Sequence, residues 1–426
     1  MAGTGRRDTA GAPDPGTGAA VAGSPLRIPD FRVLFSAELL STAGDQIARV
    51  ALTVLVLQRT GSVAWSAAFY AMTFLPALLG GLLLGHLADR YPRRAVMVLA
   101  DLARAGLVAV MALPGLSLPV LSGLLVVVVL LGGPHNAARA ALLPDLLPGA
   151  LLARGLALRQ ISVQIAQVAG FGGGGLLVAW LTPHGALLVD AGALAGSALV
   201  VALGVGARCA VRRVGAPARR TAGRWLGGAR AGLAVVFGCP RRRYLVLAAW
   251  LIGIYVLPEA LAAAYALAVG AGPVEAGLLM AADPAGSALG AAVLAFRRPV
   301  GERWLIPFAA GAAVPLVLTP FAPGLWAAVA LWALSGACAT VCLVQAQSGF
   351  ARATPTAVRG AATGVASAGL VAGQGVAVLL GGLLAQWTDP AVALAAFGLT
   401  GLLLACAGLV RLRRTASGGA VAGATG

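Results

Sequence analysis

Twelve predominantly apolar stretches of roughly 20 residues succeed one another along this chain, at 33–57, 66–88, 95–113, 119–138, 157–181, 185–206, 244–268, 274–296, 304–321, 324–346, 360–386 and 391–410. At 1.5 Å per residue, a helix of that length crosses a hydrocarbon core of about 30 Å. Lipid offers no hydrogen-bond partner to a backbone, so runs this long are helical, whereas a barrel would show short alternating strands. The expected fold is an all-α integral membrane protein with twelve transmembrane helices in two six-helix halves. Composition agrees: 59% of residues are hydrophobic and 11% charged, against about a quarter charged in soluble domains.

A net charge of +17 raises the question of nucleic acid, and the positions of the arginines answer it. With the N-terminus inside, 28 of the 31 basic residues, all arginine, fall in cytoplasmic segments; Arg59 alone lies outside, and Arg49 and Arg104 lie within helices. This is the positive-inside pattern, so the charge sets topology and no nucleic-acid partner is expected. Both termini are expected in the cytoplasm of a multi-pass protein of the cell membrane.

The expected division is a disordered tail at 1–30, a first bundle at 31–206, a basic linker at 207–243, a second bundle at 244–414 and a tail at 415–426. Within the linker, "RWLGGARAGLAVVFG" has the pattern of a short amphipathic helix. No small-residue cleavage site follows a short apolar core near the start, so the first span is expected to be uncleaved. Five cysteines, an odd number placed in helices or cytoplasmic loops, argue against disulfides. Cys338 and Cys342, with no histidine or carboxylate beside them, read as packing residues and not as metal ligands.

Between the second and third spans stands "GHLADRYPRR", residues 85–94. Gly85, Leu87, Ala88, Asp89, Arg90, Arg93 and Arg94 resemble the G-x-L-A-D-R-x-G-R-R/K signature of the major facilitator superfamily, with Pro92 in place of the usual glycine. "GDQIARVALTVLVLQRTGS" at 44–62 is similar to the first helix of the drug-exporter-like branch. "ARAALLPDLLP" at 138–148 and "GARAGLAVVFGCPRRR" at 228–243 resemble segments common in that branch. The resemblance covers 31–414. It implies that Gly85, Asp89, Arg90, Arg93, Arg94 and Arg139 latch the two halves in the outward-facing state. The physics of the cluster is compatible with that: arginines at an inner helix end meet headgroups and helix C-termini, and Asp89 can meet a helix N-terminus or Arg139. The bland alternative is that these arginines only fix topology. In the second half, Pro284, Gly286, Gly290, Arg297 and Arg298 form a faded counterpart without an acid, as an internal repeat with a site between the halves would leave.

Charges inside apolar spans are costly and so mark function. Glu38, Ser41, Thr42, Asp45 and Arg49 share one face of the first helix, which is expected to line the cavity. Glu259 and Asp283 are the corresponding acids of the seventh and eighth spans. Asp45, with Arg49 four residues on, is the first candidate for proton coupling, followed by Glu259 and Asp283; a static salt bridge is the alternative. Asp190 and Glu302 lie close to span ends and read as unremarkable. Gln160, Gln164 and Gln167 on the fifth helix, with Gln374 on the eleventh, are candidate cavity donors and acceptors. Gly170, Gly174 and Gly175 are similar to the superfamily's G-P-x-x-G-G antiporter motif, with Phe171 in place of proline. Like Gly381 and Gly382, they also suit close helix packing.

The chain contains no lysine, so the G-x-x-x-x-G-K-[ST] phosphate cradle cannot occur. Its three histidines, His86, His135 and His184, are scattered, and no nucleophile triad or zinc cluster is recognisable. The expected protein is not an enzyme and uses no cofactor or metal. It is expected to be a proton-coupled exporter of small amphipathic or drug-like molecules, working as a monomer among membrane lipids. The alternatives are an importer or facilitator and, from a different class, a receptor or scaffold that does not transport.

Overall fold

The computed structural model describes residues 24–147, 150–206, 222–296 and 301–422, and every regular element among them is helical. The first 23 residues of the expected tail, residues 207–221 of the linker with Cys209, and Arg297 and Arg298 lie outside the described residues.

Pro29, whose missing N–H is not needed in a first turn, opens α1 (Pro29–Thr60), and Gly61 at φ 62° closes it. The expected second span is interrupted. α2 (Val63–Ala71) gives way at Met72–Phe74 to α3 (Leu75–Leu84), because Pro76 cannot continue the hydrogen-bond ladder of the preceding turn. A single turn, α4 (Leu87–Arg90), leads into α5 (Arg93–Met111) and α6 (Leu118–Leu146). α7 (Ala150–Gly204) is one long run bent where Thr182 takes φ 63° and ψ 166° before Pro183.

After the linker come α8 (Ala222–Phe237) and α9 (Pro240–Gly253), then a 3-10 turn and α10 (Leu257–Ala268), which carries Pro258 in its first turn. α11 (Pro273–Phe296), α12 (Leu305–Leu318), α13 (Leu325–Ala353), α14 (Thr356–Trp387) and α15 (Pro390–Ala422) complete the chain. α8 occupies the expected amphipathic stretch and packs on α14. α15 runs on through residues expected to be disordered after Arg414, where no proline forces the backbone out of the helix.

Among the described residues ten helical stretches are long and apolar enough to cross a membrane, against the twelve spans expected. The difference has two physical sources. The spans at 157–181 and 185–206 fall in the single bent run of α7. The span at 95–113 falls on α5, whose Arg93, Arg94, Asp101 and Arg104 make it less apolar than the rest.

α1 packs along α7, α5 on α6 and α7, and α3 on α6; α11 packs on α13, and α12 on α13 and α15. Gly80 and Gly133 let α3 and α6 approach until a side-chain carbon on either would strike the other's backbone. Gly286 and Gly290 do the same for α11 against Ala333 and Ala337 of α13. Residues 29–204 meet residues 222–422 chiefly where α7 crosses α11 and α2 crosses α14. Large apolar side chains face outward in number, among them Trp180, Leu203 and Trp387, as lipid contact requires.

Cys239 precedes Pro240 at the start of α9. Backbone N–H groups of Arg242 and then Arg241 hold its thiol below the usual range, since they stabilise the thiolate. If the linker is cytoplasmic, a membrane-impermeant maleimide should label Cys239 in inside-out vesicles and spare it in right-side-out cells. Labelling should persist below the pH at which an ordinary thiol stops reacting, and Cys239→Ser should remove that component. Labelling in intact cells would reverse the orientation.

Candidate functional site

The polar face of α1 opens onto a cavity inside the protein. Glu38, Ser41, Thr42, Asp45 and Arg49 all line a cavity of about 300 Å³, whose other walls come from α3, α5, α6 and α7. Period-3.6 spacing put them on one stripe, and the packing of α1 on α7 turns that stripe toward α5 and α6.

Glu38, 5% exposed, accepts hydrogen bonds from Arg159 Nε of α7 (to Oε1 2.7 Å, to Oε2 2.8 Å) and is ion-paired with Arg139 of α6 (Nη1 to Oε1 3.0 Å). Arg139 also donates to Asn136 Oδ1 at 2.9 Å. About two turns along α1, Asp45 takes Arg104 Nη2 of α5 at 2.6 Å. The same guanidinium reaches Asp101 Oδ1 at 3.5 Å. Asp101 is fully buried, accepts Ser197 Oγ at 2.8 Å, and has His135 Nδ1 2.9 Å away in a charge contact that lacks hydrogen-bond alignment. Asp190, on the second limb of α7, borders the cavity at 1% exposure.

A second group joins α1, α2 and α10. The guanidinium carbon of Arg49 lies 5.6 Å from the Tyr70 ring centroid, a cation–π distance. Tyr70 Oη donates to Glu259 Oε2. Both ends of that bond sit at helix interruptions, Tyr70 in the last turn of α2 and Glu259 behind Pro258 in the first turn of α10. Broken helices are how membrane folds place polar groups at depth. Asp283 of α11 lies within electrostatic reach of Glu259 and has its carboxylate against Gly336 of α13.

The sequence-based pairings need correction. Arg49 is not the partner of Asp45: it points to Tyr70, and Arg104 takes its place. Arg139 does not meet Asp89, because Glu38 and Asn136 occupy it. Asp89 is exposed and has no ion-pair partner among the described residues. Arg90 stacks on Tyr91, Arg93 binds Asp145 Oδ2 at 2.6 Å and the Ala141 carbonyl at 2.8 Å, and Arg94 donates to the Ala202 carbonyl. Gly85 faces Ala137 of α6. Asp190 is not unremarkable: about two turns past the bend at Thr182, it is buried beside α1. Glu302 does lie at the surface, bound to Arg241 at 2.6 Å.

Gln160, Gln164 and Gln167 are outside the lining of this cavity; Arg159 and Val163, each one residue earlier, hold that face, about 100° around the helix. Gln374 packs beside Gly253. Gly170 and Gly174 lie against Ala43 and Ile47 of α1, while Gly175 crosses to Pro273 and Gly277 of α11. Gly381 meets Leu257 of α10, and Gly382 meets Ala67 of α2. At the same end Ser62 Oγ donates to Gln386 Oε1 at 2.8 Å, and the Ala64 N–H joins it at 3.2 Å. The seam between residues 29–204 and 222–422 is thus closed there. Sequence reading missed Tyr70, Asp101, Arg104 and Asp190; the available signal was that the last three are charges inside apolar spans. Among the described residues no group of three or more histidines, cysteines or acids could hold a metal ion.

Comparison with known proteins gives three findings. The family model described as Major Facilitator Superfamily matches residues 34–296. Multidrug efflux pump Tap of Mycobacterium tuberculosis (strain ATCC 25618 / H37Rv) is 40% identical over 83 residues, 20% of this chain and 20% of that pump; the Mycobacterium bovis protein of the same name matches equally. The aligned stretch thus spans only about a fifth of the length of these curated relatives. In fold, the chain is similar to a POT family transporter crystallised with 5-aminolevulinic acid, at TM-score 0.70 and 12% identity over 91% of this chain and 99% of that one. A POT family transporter in complex with a thioalcohol-conjugated peptide gives TM-score 0.72 and 11% identity over 92% and 99%.

Proposed function

The chain belongs to the major facilitator superfamily, a family of membrane transporters and not of enzymes, and from that premise we propose that it exports small amphipathic or drug-like molecules in exchange for protons, by alternating access. The reading takes the twelve spans as two pseudo-symmetric halves of six, with both termini cytoplasmic, in a monomer surrounded by lipid. The observation that carries it is the ion-paired cavity. Carboxylates and guanidinium groups drawn from four helices inside apolar spans are expensive to maintain and serve a pathway for charge. The partial likeness to an efflux pump supports export.

With Arg59 and Gln386 on the outer side, the closed seam is the outer gate and the cavity belongs to an inward-facing state. Asp89 then has no partner because its latch forms only when the inner ends come together. The residues that take part in coupling are Asp45 and Glu259, with Asp283 behind them; Gln160, Gln164, Gln167 and Gln374, which do not line the cavity in this state, meet substrate in another state of the cycle.

Everted vesicles test the reading. Energised vesicles should accumulate a dye substrate from a cationic and neutral panel, and an uncoupler should collapse the gradient. Uncoupler-resistant accumulation, or uptake only in right-side-out vesicles, would overturn it. The latch has its own test. Asp89→Asn should cut uphill transport sharply at nearly normal membrane abundance, because an exposed residue contributes little to stability. Undiminished transport at equal abundance would remove Asp89 from the mechanism.

A further inference from the structure

Asp190 stands apart from the other acids of the cavity. Each of Glu38, Asp45 and Asp101 holds an arginine. Asp190 borders the same space at 1% exposure, yet its Oδ1 has no hydrogen-bond partner among the described residues. Room for it is built into α1: a side-chain carbon on Gly44 would lie 2.5 Å from that oxygen. The charges that face it are Asp45 from α1 and Asp101 and Arg104 from α5, and His135 of α6 lines the same cavity. α11 packs on α7 around Gly175, in the other limb, and brings no charge to it among the described residues. Arg104 already spends its two Nη groups on Asp45 and Asp101, while its Nε is buried without a partner.

An unpaired carboxylate at this burial, beside two other acids, is intolerable as an anion and tolerable as a neutral acid. We infer that Asp190 holds the transferable proton of this cavity, and that Arg104 passes from Asp45 to Asp190 when the proton leaves. The O–H bond of the acid breaks, its electron pair stays on the carboxylate oxygen, and the proton goes to water through the cavity mouth. The new anion then recruits the neighbouring guanidinium. Asp45 is released, so a proton equilibrium on α7 becomes a change of contact between α1 and α5. The inference deepens the proton-coupled reading above and rests on it for its role in transport, but the protonation itself is separately measurable.

The full chain in lipid nanodiscs is followed by infrared difference spectroscopy as pH is raised. A protonated-carboxyl C=O stretch, shifted in heavy water, should disappear with deprotonation in the wild type and in Asp89→Asn, and be missing throughout in Asp190→Asn. The asparagine is close in shape and polarity to the neutral acid, so Asp190→Asn should fold like the wild type. Failure of that variant to accumulate would mean that the anion is needed and would overturn the inference, as would survival of the band. In vesicles the folded variant should lose the pH dependence of uphill transport; retained dependence would assign the transported proton elsewhere and overturn the inference. Were wild-type transport to ignore an uncoupler, the exporter reading would fail, and the infrared band would still decide whether Asp190 carries a proton.

Discussion

Asp45→Asn should cut uphill efflux sharply while leaving downhill exchange measurable. Asp45 is the cavity-facing end of the Asp45–Arg104–Asp101 chain, with its side chain 36% exposed against 8% for Arg104. The amide keeps size and polarity but neither titrates nor holds a guanidinium by charge. Arg104 retains Asp101 at 3.5 Å, so the buried cation is not stranded and membrane abundance should stay near normal. What disappears is the alternative that Arg104 can choose between. A coupling free energy of about 1–3 kcal/mol corresponds to roughly 5- to 150-fold, and the accumulation ratio should fall by a factor in that range. Arg49→Gln added to Asp45→Asn should not restore it, because Arg49 serves Tyr70. Active efflux by Asp45→Asn alone would move coupling to Glu259 or Asp283.

Glu38→Gln should act on folding first. Glu38 is 5% exposed and neutralises Arg139 and Arg159, which reach it from two other helices. Removing one partner of a buried ion pair costs about 3–5 kcal/mol, and the 31% exposure of Arg159 places the expected loss at the lower end. The readout is the monodisperse fraction after detergent extraction, with thermal denaturation of what remains. Glu38→Gln with Arg159→Gln should recover part of the loss, since one stranded cation goes with it. Glu302→Gln, which breaks the surface pair with Arg241, should leave the fraction unchanged. Wild-type abundance for Glu38→Gln would show that the two arginines find water or lipid phosphate instead.

Most of the architecture was legible because hydropathy is a local property. Each apolar run reports its own helix whatever it packs against. The face of α1 was legible too, since helical period alone puts Glu38, Asp45 and Arg49 on one side. The breaks near Pro76 and Pro258 interrupt spans that hydropathy alone reads as continuous at 66–88 and 244–268; proline's missing N–H is their cause. The bend at Thr182 is visible as the short stretch between two runs, and the backbone there leaves helical geometry.

Partner choice was not legible. From the sequence, Asp45 and Arg49 are four residues apart and an obvious pair; in the fold, α5 brings Arg104 from 59 residues away and α2 brings Tyr70 under Arg49. Asp190 looked ordinary because its distance from Pro183 places it near a span end, and only the packing of α1 on α7, opened at Gly44, turns it into a buried acid without a partner. The sequence by itself determined which segments form long apolar helices and which faces carry charge, because hydropathy and helical period are decided residue by residue. The tertiary structure decided which charge answers which, because a guanidinium chooses among carboxylates by distances of a few ångströms that only the helix packing sets.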